Sequence, residues 1–221
     1  MAKTILNQFQ TKALVDFKKS NLSKKFYLSG GTALSEFYLH HRLSEDLDFF
    51  TQQELNLDEL KKFINVVCKN IPVKKIEFQH GYGLYAFFIT TKTEEKHKID
   101  FGQYPFGPIE KLKDFSGLLV EGLFDIAVNK AQTIASRPRL RDFIDLYFII
   151  KQKPEWSFQK LLKKSFEKFE MRADALQVGQ NLLEVEKQID MPFMIQKIDM
   201  DKVRDYFLNE AKKLGSSIFK D

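Results

Sequence analysis

Two aspartates, Asp46 and Asp48, stand two residues apart at the head of the apolar run Leu47, Phe49, Phe50. In a strand, residues i and i+2 point to the same face, so the spacing sets the two carboxylates side by side. Neighbouring carboxylates repel, and burying them together is costly unless a cation shares them. Mg²⁺ suits such a pair, with Mn²⁺ as an alternative, because it takes hard oxygen ligands and keeps positions open for phosphate. Upstream, Ser29-Gly30-Gly31 halts the run Phe26-Tyr27-Leu28, and Thr32 opens a helically spaced segment reaching His40. Amides at the start of that helix would cradle a phosphate. Thr32 could bond the phosphate, cap the helix, or do both. A carboxylate pair joined to a phosphate cradle points to nucleoside triphosphate chemistry. An isolated Asp-x-Asp would be an ordinary acidic strand end; the turn and helix before it, and an acid after it, favour the functional reading.

That later acid is Asp100, in Lys98-Ile99-Asp100, where Lys98 and Asp100 share one strand face. Alone, Lys-x-Asp is commonplace on exposed strands. Further on, Lys130 and Arg137 lie two helical turns apart and face the same way. Arg137, Arg139 and Arg141 either serve a phosphate or form a solvated cluster pairing with Asp142 and Asp145. Arg42 and Ser44 precede the Asp-x-Asp strand and would orient it or the triphosphate; Arg42 could instead pair with Glu45 or Glu36. Histidines 40, 41, 80 and 97 make no spaced metal set, and His40-His41 reads as loop packing.

Around these residues the periodicity predicts a helix over 4–20, a strand at 25–29, a helix over 57–69, and strands at 73–78, 82–91 and 96–101, the last two forming a hairpin. Gly102, Pro105, Gly107, Pro108 and Gly117 mark 102–118 as a connector. Helices are predicted over 123–136, 140–151, 158–169, 173–189 and 200–214, with Gly215 as a stop signal.

The order Gly-Gly turn, helix, Asp-x-Asp is similar to the nucleotidyltransferase superfamily signature. Gly30-Gly31-Thr32-Ala33-Leu34 followed by His41-Arg42-Leu43-Ser44-Glu45-Asp46-Leu47-Asp48-Phe49 resembles the AbiEii/AbiGii toxin branch, which includes the MenT toxins. The likeness runs from about residue 10 to residue 150. It implies an α+β fold, a mixed β-sheet core with flanking helices followed by a C-terminal helical bundle. It divides the chain into a catalytic domain, 1–118, and a helical domain, 119–221, that completes the site. It implies Asp46, Asp48 and Asp100 as metal ligands, with Lys130 and Asp142 joining them as catalytic residues. Gly30, Gly31, Thr32, Arg42, Ser44, Lys98, Lys130 and Arg137 would bind nucleotide. Lys98 matches the branch's Lys-x-Asp motif, and Asp125 to Lys130 its Asp-x4-Lys motif. Arg139-Leu140-Arg141-Asp142 matches Arg-x-Lys-Asp with Arg141 in place of lysine, which keeps charge but changes geometry.

The implied activity is Mg²⁺-dependent transfer of a nucleoside monophosphate from an NTP to a hydroxyl, at the tRNA 3′ end. The implied partners are the NTP, tRNA and a cognate antitoxin protein, in a toxin–antitoxin or phage-defence system. Two alternatives stay open: nucleotidylation of a protein or of a small molecule such as an aminoglycoside, and a catalytically silent binding module.

Composition sets broad limits. The 221 residues hold 43% hydrophobic residues and 22 Phe, enough for an aromatic core. The net charge of +5 and a pI near 9.0 permit an anionic partner without requiring one. Cys68 is the single cysteine, so no intramolecular disulfide forms, and its helix position reads as packing. The amino terminus lacks signal-peptide character and no apolar run is long enough to span a bilayer, so a cytoplasmic protein without membrane association is expected.

Overall fold

The computed structural model describes residues 4–171 and 174–218, the last three by their backbone. The chain divides into two compact units, residues 1–38 with 43–122, and residues 39–42 with 123–221. The architecture is α+β: a mixed seven-stranded sheet with flanking helices in the first unit, and helices in the second.

In the first unit, α1 (Gln8–Lys19) is capped by Asn7, whose side chain accepts from the Gln10 amide at 2.8 Å. It leads through a short 3-10 turn to β1 (Tyr27–Ser29). The glycine turn follows as α2 (Gly30–Leu34), which widens into a π-helical turn over Ser35–Leu39. β2 (Asp46–Thr51) carries the aspartates, and α3 (Leu57–Cys68) is capped by Asn56. β3 (Val73–Gly81), β4 (Leu84–Thr91) and β5 (Lys96–Gln103) form a meander, and β6 (Lys113–Asp114) and β7 (Leu119–Val120) make a short antiparallel pair.

The strand order is β3-β4-β5-β2-β1-β7-β6. β2 runs antiparallel to β1 and parallel to β5. Alternation along these strands sorts side chains by face. Leu47, Phe49, Ile99 and Phe101 turn to one face and are fully buried. There Phe17 of α1 stacks on Phe49 at 4.1 Å, and Phe63 of α3 meets Phe101 edge-on at 5.9 Å. Each such ring pair adds about 0.5–1.5 kcal/mol beyond area burial. Burying that aromatic layer leaves the other side chains of β2 and β5, the acids among them, on the opposite face.

The second unit contains α4 (Leu123–Ser136), α5 (Leu140–Gln152), α6 (Phe158–Phe169), α7 (Ala175–Leu183) and α8 (Met200–Ile218). Phe207 of α8 sits among Phe143 of α5, at 4.9 Å, and Phe158 of α6, at 6.2 Å. A buried pair holds α6 to α4: Lys168 Nζ lies 2.9 Å from Asp125 Oδ1 and 3.0 Å from Asn129 Oδ1.

Several boundaries differ from the sequence reading. The helix expected from Thr32 starts at Gly30, because glycine adopts the φ of +71° that the turn needs. The connector 102–118 holds the strand β6. The helix expected over 173–189 closes at Leu183, followed by a 3-10 turn; its expected first residue, Ala173, lies outside the described residues. The last helix passes Gly215 and ends at Ile218, since one helical glycine costs only about 1 kcal/mol. Among the described residues, no helix is long and apolar enough to cross a membrane.

Candidate active site

The acids of the first unit meet across the β2–β5 ladder. Asp48 is the register partner of Asp100, and Asp46 that of Lys98. Parallel partners present side chains to the same face, so Asp46, Asp48, Lys98 and Asp100 form one polar patch. Asp46 and Asp48 are half-buried, whereas Asp100 is only 6% exposed. Burial pushes the Asp100 pKa above the usual carboxylate range and Asp46 adds to the rise, against the opposing pull of Lys98. The Lys98 ammonium bonds Asp100 Oδ2 and lies 5.7 Å from the centre of the Phe88 ring. Asp100 Oδ1 is buried with no hydrogen-bond partner.

The Gly-Gly turn serves this patch directly. A Cβ built on Gly30 would stand 2.1 Å from Asp48 Oδ2, so the carboxylate occupies the room that glycine leaves. Thr32 is the third residue of α2 and not its cap; its hydroxyl donates to the Asp46 carbonyl oxygen and ties the helix to the aspartate strand. The position before the helix belongs to Ser29, whose hydroxyl donates to the buried carboxylate of Glu121. Ser44 is half-buried, and its carbonyl oxygen accepts from Gln10 Nε2 at 2.7 Å, so α1 fixes the approach to β2.

Lys130, Asp142 and Arg42 belong to a second cluster, in the second unit, whose centre is Asp145. This carboxylate is wholly buried and takes the Arg42 guanidinium through Nε at 2.6 Å and Nη2 at 2.8 Å. It also meets His41 Nε2 at 2.8 Å and Lys130 Nζ at 2.7 Å. Lys130 bridges onward to Asp142 Oδ1 at 2.8 Å, while Asp142 Oδ2 accepts from the Arg139 amide at 3.2 Å and closes the first turn of α5. Burial would raise the Asp145 pKa, but Lys130 and Arg42 outweigh it and hold the carboxyl well below its ordinary value. Burial likewise pulls Lys130 down, and Asp145 and Asp142 more than restore it. Burial lowers the His41 pKa despite its bond to Asp145.

These contacts revise individual expectations. Arg42 is 2% exposed and its guanidinium grips Asp145 through two nitrogens, a geometry that suits holding Asp145 better than reaching a nucleotide. His41 does pack, against Phe148 at 5.0 Å, but it is also a polar member of the cluster. Asp125 of the Asp-x4-Lys motif is a buried partner of Lys168. Arg137 lies just past α4 with an exposed side chain. The sequence leaves Asp145 open between a role in the site and pairing with the arginine cluster, and the structure buries it. A polar residue at core spacing, beside Phe143, Leu146 and Ile149, was the available signal for its burial.

Among the described residues, no three His, Cys, Asp or Glu side chains stand ready-made around one metal position. The donor chemistry of the patch nevertheless fits a hard divalent cation. It offers three carboxylates at neighbouring positions and an unpartnered buried oxygen on Asp100, and a buried acceptor left without a partner is costly.

A mixed sheet bearing acids on two parallel neighbours, beside a glycine turn, defines a nucleotidyltransferase fold. Two crystal structures from Helicobacter pylori share it. One, of a protein described as a candidate nucleotidyltransferase, superposes with a TM-score of 0.62 at 16% identity, covering 96% of this chain and 94% of that one. The other, JHP933, gives 0.60 at 19% identity, covering 96% and 91%. In sequence, an uncharacterised protein of Aquifex aeolicus (strain VF5) is 31% identical over 168 residues, 73% of this chain and 76% of that protein. The family model for the nucleotidyl transferase AbiEii toxin of type IV toxin–antitoxin systems matches residues 12–210, and the chain belongs to that family.

Proposed function

We propose that the protein transfers a nucleoside monophosphate from an NTP to an RNA hydroxyl, the tRNA 3′ end, in a Mg²⁺-dependent reaction that an antitoxin counteracts in the cell. The observation that carries this reading is the register Asp48 to Asp100, which sets two carboxylates abreast with Asp46 one step along the same face. Asp46, Asp48 and Asp100 would hold the metal, which supplies charge neutralisation for the triphosphate and a lower pKa for the attacking hydroxyl. Thr32 keeps the Asp46 backbone in place, and Gly30 leaves Asp48 the space it needs. The buried aromatic layer beneath holds β2 and β5, the strands that carry the acids, together. Transfer joins the hydroxyl oxygen to the α-phosphorus and releases pyrophosphate, while the hydroxyl proton passes to a carboxylate or to solvent.

The test is incubation with each labelled NTP and total tRNA, followed by mass spectrometry of the RNA. The wild type should add nucleotide to the 3′ end. Asp48→Ala should lower the rate by at least about 10³, the scale of losing a charge-stabilising group, while its circular dichroism and melting midpoint stay near wild type. Labelling of tRNA by Asp48→Ala at the normal rate would refute the site. Labelling of a protein in place of RNA would move the acceptor.

A further inference from the structure

The acid patch already contains a cation of its own. Lys98 lies two residues from Asp100 on β5 and opposite Asp46 on β2, and its ammonium bonds Asp100 Oδ2. Its side chain is 29% exposed, so the ammonium has a route to water, whereas the Asp100 side chain beneath it is nearly closed off. Phe88, the register partner of Lys98 on β4, offers its ring to the lysine stem and ammonium. The patch thus holds a partly exposed positive charge at its rim, and one buried oxygen of Asp100 that this charge does not satisfy.

We infer that Lys98 is a displaceable internal cation: it offsets one of the three carboxylate charges of the acid patch and gives up Asp100 when a divalent ion binds. This deepens the proposed function and rests on its metal site. An ammonium and a divalent ion on the same carboxylate repel at contact distance, so a metal on Asp100 weakens the Lys98 bond and favours release of the ammonium. The structure also accounts for the lack of a ready-made three-acid site, since the Asp100 carboxylate is turned to the lysine. Metal entry then couples two events, satisfaction of Asp100 and release of one ammonium toward the open side of the patch, where phosphate charge would arrive.

The experiment is Mn²⁺ titration of the full chain without nucleotide, followed by calorimetry and by the electron paramagnetic signal of free Mn²⁺. Lys98→Met removes the competing charge and keeps an apolar stem over Phe88. It should bind Mn²⁺ about tenfold more tightly than wild type, equivalent to about 1.4 kcal/mol. Lys98→Arg, which keeps the charge, should stay near wild type. Equal or weaker binding by Lys98→Met, with wild type binding normally, overturns the inference and leaves the metal site standing. Absence of Mn²⁺ binding in wild type and in folded Lys98→Met alike overturns both. Should Lys98→Met fail to fold, wild type supplies the answer through the NMR signal of the Lys98 ammonium nitrogen. Mg²⁺ should abolish the signature of its carboxylate bond, and an unchanged signal overturns the inference.

Discussion

Gly30 shows how much a single residue can decide. It takes a left-handed φ of +71°, and the place of its absent Cβ is filled by the Asp48 carboxylate. Gly30→Ala therefore faces backbone strain and a clash with a charged group at once. It should cost about 1–3 kcal/mol of stability and move Asp48 out of register with Asp100. Urea denaturation and the transfer assay check the two effects separately; an alanine variant with wild-type activity would show that Asp48 has room to spare. The sequence marked Gly30 as important through the paired glycines, but as a phosphate cradle. That its immediate neighbour is Asp48 depends on the β1–β2 pairing, which local sequence does not specify.

At the scale of elements, Asp145 governs the second unit. It lies on α5, and it receives Lys130 from α4 together with His41 and Arg42 from the 39–42 segment. Two cations and an imidazole thus meet at one buried carboxylate. Asp145→Asn leaves Arg42 and Lys130 buried with too little compensating charge, and should destabilise the fold by about 3–5 kcal/mol. Asp142→Asn should cost less, because Lys130 keeps Asp145. Chemical denaturation of both variants tests the ranking, and a reversed order would displace Asp145 from its central role. This cluster was barely legible in the sequence. His41 and Arg42 are more than a hundred residues from Asp145, and the nearer acids Glu36 and Glu45 were the natural candidates for Arg42. Helix spacing did place Lys130 and the acids of α5 correctly on their elements, since a period of 3.6 residues is a local property.

For the whole molecule, the buried titratable groups shape the response to acid. The unfolded chain protonates His41 near 6.5, while the folded chain does so at lower pH. Between those values the unfolded state binds the extra proton, so stability falls as pH falls. Asp145, held below its ordinary 3.8, acts in the same direction: its contribution is present above that value and is lost as pH drops through the folded value. Asp100, shifted upward, acts in the opposite sense above 3.8, because its burial cost is relieved on protonation. Denaturation midpoints should therefore decline from pH 6.5 through the His41 window and again below 3.8, where Asp145 begins to lose its advantage. His41→Gln, which keeps a donor but does not titrate, should flatten the part of the slope nearest neutrality. A slope unchanged in that variant would assign the acid sensitivity elsewhere.

The sequence by itself determined that Asp46 and Asp48 share a strand face, that Lys98 and Asp100 do likewise, and that a glycine turn precedes them. Those facts follow from the two-residue repeat of a strand and the conformational freedom of glycine, both local. Only the tertiary structure decided that the two strands lie parallel with Asp48 beside Asp100, that Lys98 neutralises Asp100, and that Asp145 gathers Arg42, His41 and Lys130. Strand register and buried charge pairing are set by which apolar faces exclude water together, and that is settled between segments far apart in the chain.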